Sequence, residues 1–202
     1  MNTIEVKYKT NFFSEENKIV FSDRSISLLS NNHVISKIEK EEIHNVRYGT
    51  AWIKGIDFTI GRIYCIDINN NQNTFIRIRL RSIYGINKNK LWKKYQEILD
   101  LLYDYYLNEK ILQHINNIED GIDLEMSGIT FKKEGVLLNS KGESRFINWD
   151  DLNSVAYTYY YTLSSKKEPD LYKAFTYLTD WNAVILLSIS RQLLINKGLY
   201  TK

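Results

Sequence analysis

Three arginines at alternate positions form the most distinctive chemical pattern in the sequence. Arg77, Arg79 and Arg81 are separated by single aliphatic residues, and in a β-strand this period places all three guanidinium groups on one face. A guanidinium is a planar fork of hydrogen-bond donors, so the row, together with Arg62, could hold phosphate or carboxylate groups. The alternative is a solvated strand face whose charges are balanced by neighbouring acids. We treat these four arginines as a candidate binding surface.

A second candidate surface is rich in tyrosine. A run of tyrosines begins at Tyr157, and further aromatic residues follow as far as Trp181. In one strand, Tyr159 and Tyr161 would share a face and Tyr160 would point to the other, so at least one side of the strand exposes tyrosine. Rigid aromatic side chains are favoured at protein interfaces. We therefore add Tyr159, Tyr161 and Trp181 to the candidate partner surface, with ordinary core packing as the competing interpretation.

The residue types that usually carry catalysis form no recognisable motif. The pair Glu41 with Glu42 and the pair Asp150 with Asp151 could divide acid and base roles. Each pair, however, precedes an apolar residue that begins a predicted strand, which is typical of a turn or cap. The histidines lack metal-ligand spacing, and we identify no glycine-rich phosphate loop, nucleophile or base. We therefore predict that the protein is not an enzyme and has no catalytic residue, metal site or cofactor.

Composition places the chain among globular proteins. Of its 202 residues, 44% are hydrophobic and 25% are charged, which is ordinary for a protein that buries a core. The net charge of +3 is small and evenly interspersed, which argues against a nucleic-acid partner. The one cysteine, Cys65, lies in an apolar alternation and is predicted to be a buried structural thiol. With no basic leader and no apolar run of about 18 residues, we expect a soluble, cytoplasmic protein.

The sequence contains two copies of one pattern. The matched positions are Ile19, Phe21, Leu28 and Ser30 in the first copy and Ile129, Phe131, Leu138 and Ser140 in the second. The offset then falls by one residue at Asn31 and Asn32, a predicted hairpin turn, where a change of length is tolerated. Alternating segments predict strands at 3–9, 18–21, 25–29, 34–38, 43–52, 58–68 and 75–80 in the first copy. The second copy predicts them at 122–131, 135–138, 144–147, 152–163, 172–178 and 183–189.

A long amphipathic helix is predicted between the two copies. From Leu91 to Tyr106 apolar residues recur at three- and four-residue intervals, so a helix covering about 88–118 closes the first copy. It either supports both copies or breaks near Asn108. The second copy leaves only 191–202 for a short helix, so its sheet is predicted to lack a long closing helix. The central helix, a second copy of the chain or another protein would then cover that face.

The second copy resembles a known family. The residues that carry the resemblance are Gly128 to Phe131, Gly135 to Leu138 and, above all, Ile147 to Leu152. The last segment is similar to the Ile-x-Trp-x-Asp-Ile type motif that often ends the third strand of bacterial pleckstrin-homology-like (PH-like) domains. Lys40 stands where the second copy has Trp149. The resemblance implies an α+β fold in which two tandem PH-like antiparallel β-sheet or barrel lobes are joined by a long central helix. The lobes would span 1–120 and 121–202, the second with a reduced C-terminal helix.

We therefore predict a non-enzymatic, bacterial protein-binding module. Its specific form would be an immunity or antitoxin-like protein that occludes the active site of a cognate toxin, since occlusion needs only complementary shape and charge. The candidate partner surface consists of Arg62, Arg77, Arg79, Arg81, Tyr159, Tyr161 and Trp181. The alternative is a peripheral membrane adaptor that binds anionic lipid through the basic strand face, at roughly 1 kcal/mol per basic residue.

Overall fold

Two units make up the chain, and they share the order of their two sheets and the helix that follows them. The computed structural model describes residues 3–10, 14–70, 72, 74–140 and 143–200, and the units are Met1–Asn108 and Glu109–Lys202. In each unit a four-stranded antiparallel sheet is followed by a three-stranded antiparallel sheet and then by a helix. The α+β class is therefore confirmed. Among the described strands the sheets are four separate ones and not closed barrels.

The strands of the first unit follow the predicted alternation closely. One sheet contains β1 (Ile4–Lys9), β2 (Glu16–Phe21), β3 (Ser25–Ser30) and β4 (His33–Glu39), in that order. The other contains β5 (Asn45–Lys54), β6 (Thr59–Asn69) and β7 (Phe75–Ile83). Asn31 and Asn32 form the predicted hairpin turn, with φ of 49° and 62° between the paired residues Ser30 and His33. Asparagine tolerates this left-handed conformation, which two-residue hairpins of this kind require.

A long helical segment follows the first unit's strands. It comprises α1 (Lys88–Leu102), a π-helical turn (Tyr103–Leu107) and α2 (Asn108–Glu119). The bounds agree with the predicted helix at about 88–118. The alternative of a break near Asn108 is not observed, because the helix continues through a π-helical turn that ends at Leu107 and Asn108 itself is helical. The boundary between the two units falls directly after Asn108, so α1 and the π-helical turn belong to the first unit.

In the first unit the helix is joined to both sheets. Tyr95 of α1 stacks on Tyr64 of β6 with ring centroids 5.2 Å apart. About three helical turns further on, the hydroxyl of Tyr106 donates a hydrogen bond of 2.7 Å to the carbonyl of Ser25, at the start of β3. The same hydroxyl accepts a bond from the amide of Ser22 at 3.3 Å. Burial raises the pKa of Tyr106 to about 12, so the hydroxyl stays protonated and able to donate.

The second unit repeats the two sheets. The first contains β8 (Leu124–Met126), β9 (Ile129–Lys132), β10 (Gly135–Ser140) and β11 (Glu143–Asn148); the second contains β12 (Leu152–Ala156), β13 (Tyr160–Ser165) and β14 (Tyr172–Thr176). The strand predicted at 152–163 is in fact two strands, β12 and β13, joined by a turn at 157–159. Each residue of the Tyr157–Tyr159 turn is exposed.

The corner between the two sheets is built in the same way in both units. The amide of Lys40 donates to the carbonyl of Arg24 at 2.7 Å, and the amide of Trp149 donates to the carbonyl of Glu134 at 3.3 Å. In the second unit Trp149 also stacks on Phe131 at 6.1 Å. Its indole nitrogen donates to the carbonyl of Lys133 at 3.0 Å, which satisfies a donor that is otherwise costly to bury.

The prediction of a strand at 183–189 is wrong, because this segment is helical. The second unit ends in α3 (Ala183–Asn196), a helix of 14 residues that begins after the left-handed residue Asn182 and contacts β12. Nearly every side of its first two turns is apolar and buried. Such a run has no clear helical period, so periodicity alone cannot distinguish a buried helix from a buried strand. The second unit therefore has a closing helix of its own.

Substitutions in α3 test whether this segment is a core helix. Ile189 is fully buried, whereas Ile195 on the same helix is 50% exposed. We expect Ile189→Ala to lower the free energy of unfolding by about 2–5 kcal/mol, because it leaves a cavity. Ile195→Ala, the matched control, should change it by less than about 1 kcal/mol. Urea denaturation followed by circular dichroism measures both, and equal losses would contradict the assignment.

The bond from Tyr106 to the β2–β3 turn is tested by removing a single oxygen. Tyr106→Phe leaves the carbonyl of Ser25 without this donor and should lower the free energy of unfolding by about 1–2 kcal/mol. Tyr105 is the matched control, because it is the neighbouring tyrosine and packs its ring on Phe21 at 6.2 Å. Thermal unfolding of Tyr105→Phe should match that of the unsubstituted protein, and a similar destabilisation by both changes would contradict a specific role for the bond.

Candidate functional site

The strand register places the three alternating arginines on one face, as predicted. Across the β6–β7 pair, Arg77 faces Asp67, Arg79 faces Cys65 and Arg81 faces Ile63. Directly opposed residues of an antiparallel pair point to the same side of the sheet. Arg77 and Arg81 are exposed and Arg79 is half-buried.

Arg62 does not join this row. It is paired with Ser82, which lies between Arg81 and Ile83 and therefore points to the other side of the sheet. The guanidinium of Arg62 lies over the ring of Trp52, 4.6 Å from its centroid, in a cation–π contact. The prediction that four arginines form one surface is therefore corrected to three.

A buried carboxylate neutralises the middle of the arginine row. Asp67 is only 3% exposed, and its oxygens lie 3.0 Å from Nε of Arg47 and 2.6 Å from Nη1 of Arg79. Burial acts to lower the pKa of Arg79, but the hydrogen bond and the charge of Asp67 raise it above its ordinary value. Next to this network, burial raises the pKa of Cys65, whose thiol is buried as predicted. For Arg79, the alternative of a face balanced by acids is thus the one observed.

The outer two arginines of the row have different surroundings. The guanidinium of Arg77 lies 4.6 Å from the centroid of the Phe75 ring. Arg81, near the end of β7, lines a cleft of about 720 Å³ in the first unit. We call this cleft the basic cleft; its charged lining residues are Lys7, Lys9, Glu16, Arg81, Lys90 and Lys94. The three arginines of the row therefore have three different environments: Arg77 contacts an aromatic ring, Arg79 belongs to an ion-pair network and Arg81 lines a cleft.

Tyr161 is not on the surface. It is fully buried, and its ring stacks on Phe175 at 4.8 Å, so its assignment to a partner surface is corrected. Burial raises the pKa of Tyr161 well above its usual value. Tyr159 is 41% exposed in the turn before β13. Trp181 is half-buried, and its carbonyl accepts a bond of 2.8 Å from the hydroxyl of Ser127.

The outer face of the sheet β12–β13–β14 carries a group of exposed tyrosines. Tyr157, Tyr160 and Tyr172 are 49%, 38% and 52% exposed, and the rings of Tyr157 and Tyr160 stack at 4.7 Å. We call this surface the tyrosine face; by register its residues are Asn153, Val155, Tyr160, Thr162, Ser164, Tyr172, Ala174 and Thr176, and Tyr157 joins them by stacking on Tyr160. None of these side chains is charged at neutral pH.

Sequence reasoning missed the tyrosine face because it placed the hairpin turn wrongly. A single strand over 152–163 brings Tyr159 and Tyr161 to one side. With the turn at Tyr157–Tyr159, the alternation starts afresh at Tyr160, which points outward while Tyr161 enters the core. The sequence does contain a sign of this turn. The charged segment 166–170 marks the end of β13, and a strand of ordinary length that ends there must begin with a turn near 157–159.

The acidic pairs lie at turns. Glu41 and Glu42 belong to a short 3₁₀ helix before β5. The carboxylate of Asp151 accepts bonds from the hydroxyl of Ser165 at 2.7 Å and from the amide of Lys167 at 2.9 Å. The bond from Ser165 lowers the pKa of Asp151. This geometry agrees with the predicted turn role for Asp151.

The described part of the chain contains neither a cluster of metal ligands nor a membrane-spanning helix. Within the described ranges, no three side chains of histidine, cysteine, aspartate or glutamate come together as a metal site. None of the helices described here combines the length and the apolar composition needed to cross a bilayer. In comparisons with known proteins, no protein-family model matches the chain and no curated protein matches its sequence.

The ion pairs of Asp67 are expected to stabilise the folded protein. Asp67→Asn removes the charge shared by Arg47 and Arg79, and we expect it to lower the free energy of unfolding by about 2–4 kcal/mol. Asp57→Asn, an exposed position in the same unit, is the control and should change it by less than about 0.5 kcal/mol. Chemical denaturation measures both changes. A neutral Asp67→Asn would show that the ion pairs do not stabilise the sheet.

Proposed function

We propose that this chain is a non-enzymatic protein-binding module of two tandem PH-like lobes, and that it engages its partner protein through the tyrosine face. The observation that carries the proposal is the composition of that face, which combines exposed tyrosines with small uncharged residues on a regular sheet. The repeated order of four strands, three strands and a helix supports the PH-like part of the proposal. The equivalent backbone hydrogen bonds at the corner of each unit, from Lys40 in the first and from Trp149 in the second, support it as well.

The composition of the tyrosine face suits a protein partner. A tyrosine side chain has only two χ angles, so it contributes a large contact area at a small cost in conformational entropy. The small side chains around it, Thr162 and Ala174 among them, let a partner approach the sheet closely. A face without charges also avoids the desolvation of ions, which are depleted at the centres of protein interfaces.

The proposed binding surface is the outer face of the sheet β12–β13–β14 and not an uncovered inner face. The predicted lack of a closing helix would have left apolar core residues for a partner. Instead α3 lies against β12, where the hydroxyls of Ser190 and Ser154 are 3.4 Å apart. A partner is therefore not needed to complete the second unit, and binding becomes a property of the surface of a finished fold.

The specific form that we propose is an immunity or antitoxin-like protein of the bacterial cytoplasm. Blocking an active site requires a rigid surface of complementary shape and no chemistry of its own. A hydrogen-bonded sheet holds its outward side chains in fixed positions, as the bond of 2.8 Å from the amide of Tyr157 to the carbonyl of Tyr160 illustrates. Such fixed aromatic side chains are favourable binding anchors.

The alternative role, a peripheral membrane adaptor, has less support from the geometry. It relied on a row of basic residues on one strand face. Asp67 pairs with Arg79, and Arg62 points to the other side of the sheet, so only Arg77 and Arg81 of the four remain exposed on that face. Two charges contribute roughly 2 kcal/mol near an anionic bilayer, which gives weak binding.

The test is capture of the partner with the tagged protein from cells that produce it, followed by titration of the captured partner. We expect the triple variant Tyr157→Ser, Tyr160→Ser, Tyr172→Ser to weaken binding by at least about ten-fold, because interface tyrosines contribute more than 1 kcal/mol each at binding hot spots. The matched control is Tyr84→Ser with Phe58→Ser, two exposed aromatic positions of the first unit, which should bind normally.

Two outcomes would contradict the proposal. One is unchanged affinity of the triple variant while circular dichroism shows that it is folded. The other is a protein that captures no partner but sediments with phosphatidylserine vesicles. If high salt abolishes this sedimentation, the membrane role is favoured.

A further inference from the structure

The basic cleft of the first unit is a second surface with distinct chemistry. Its walls come from β1, the start of β2, the end of β7 and the first turns of α1. Among the described residues that line it, five carry cationic side chains and Glu16 alone carries a carboxylate. The cleft volume of about 720 Å³ falls within the range of binding sites for small ligands and short segments.

Most of this positive charge is not neutralised by the residues that the structure describes. Lys7 lies 3.7 Å from Glu16, and Lys94 pairs with Glu97 one helical turn along; both pairs are solvent-exposed and such pairs are weak. Lys9, Arg81 and Lys90 make no ion pair among the described residues. The first turn of α1 contains no acidic residue, so the positive end of the helix dipole adds to the same potential.

The cleft also has an apolar side. Tyr8 is almost fully buried, whereas Ile83 and Ile86 are 40% and 58% exposed and Leu91 is half-buried. Aliphatic side chains that remain this exposed next to a row of cations favour a ligand with both negative charges and apolar groups. Inorganic anions satisfy only the first requirement.

The shape of the cleft favours an extended chain. Among the described strands, β1 lies at the edge of its sheet and pairs with β2 alone. β7 approaches this edge just beyond β1, where the amide of Arg81 donates to the carbonyl of Thr10 at 2.8 Å. An edge strand offers backbone groups to which an added segment can hydrogen-bond. The cations surround a concavity and come from separate elements, so they converge on an inserted chain and not on the plane of a bilayer.

We infer that the basic cleft binds an extended acidic segment of a partner protein. Lys9, Arg81 and Lys90 pair with its carboxylates, and Ile83 and Ile86 contact its apolar side chains. This inference rests on the proposed protein-binding role and adds the chemistry of the segment recognised. The basic cleft lies in the first unit alone, so its binding can be measured independently of the tyrosine face, which lies in the second unit.

The probe is a fluorescein-labelled peptide of alternating glutamate and leucine, titrated with the full chain at about 0.1 M salt and followed by anisotropy. We expect the variant Lys9→Gln, Arg81→Gln, Lys90→Gln to bind about ten-fold more weakly, since three exposed charge interactions are lost. The matched control Arg24→Gln, Lys54→Gln, Lys93→Gln removes the same charges from exposed positions outside the cleft. It should change affinity by less than about two-fold.

The controls separate this inference from the function on which it rests. The tyrosine-face triple variant should bind the peptide as the unsubstituted protein does. Equal weakening by the cleft and control variants would overturn the inference, because it would indicate charge attraction without a site. Equal binding of a peptide with glutamine in place of glutamate would overturn it as well. Binding to phosphatidylserine vesicles that requires the cleft cations, in the absence of peptide binding, would identify a lipid site instead.

Discussion

The burial of one helix stripe against two sheets is the interaction on which the first unit depends. Its sheets have three and four strands, and each needs a cover for its apolar face. Tyr95 packs on β6, while Tyr106 reaches the turn between β2 and β3 and donates a hydrogen bond there. One helix thus fixes both sheets, and the π-helical turn at Tyr103–Leu107 includes the residue that makes the second contact.

Because the inner faces are covered within each unit, the surfaces available for binding lie elsewhere. In the second unit α3 covers the sheet that begins with β12, and the tyrosine face is the opposite side of that sheet. The equivalent outer face of the first unit holds the Asp67 network with Arg47 and Arg79. Two copies of one arrangement therefore present different chemistry, because only the inward positions are constrained by packing.

The sequence was informative wherever a regular period reflected burial on one side. The strands of the first unit and the helix from Lys88 onward were predicted because half of each element faces water and half faces the core. The prediction failed at α3, where burial on almost all sides removes the period. It failed again at Tyr161, because a turn at 157–159 shifts the alternation by one and so reverses the face of every later residue.

By itself the sequence determined the α+β class, the two copies, the Asn31–Asn32 turn and the common face of Arg77, Arg79 and Arg81. These are local properties, set by the period of a few neighbouring residues. Only the tertiary structure decided that Asp67 neutralises Arg79, that Arg62 points away, and that Lys9, Arg81 and Lys90 line one cleft. Those residues are distant in the chain, and their proximity follows from strand register and helix packing, which no local pattern specifies.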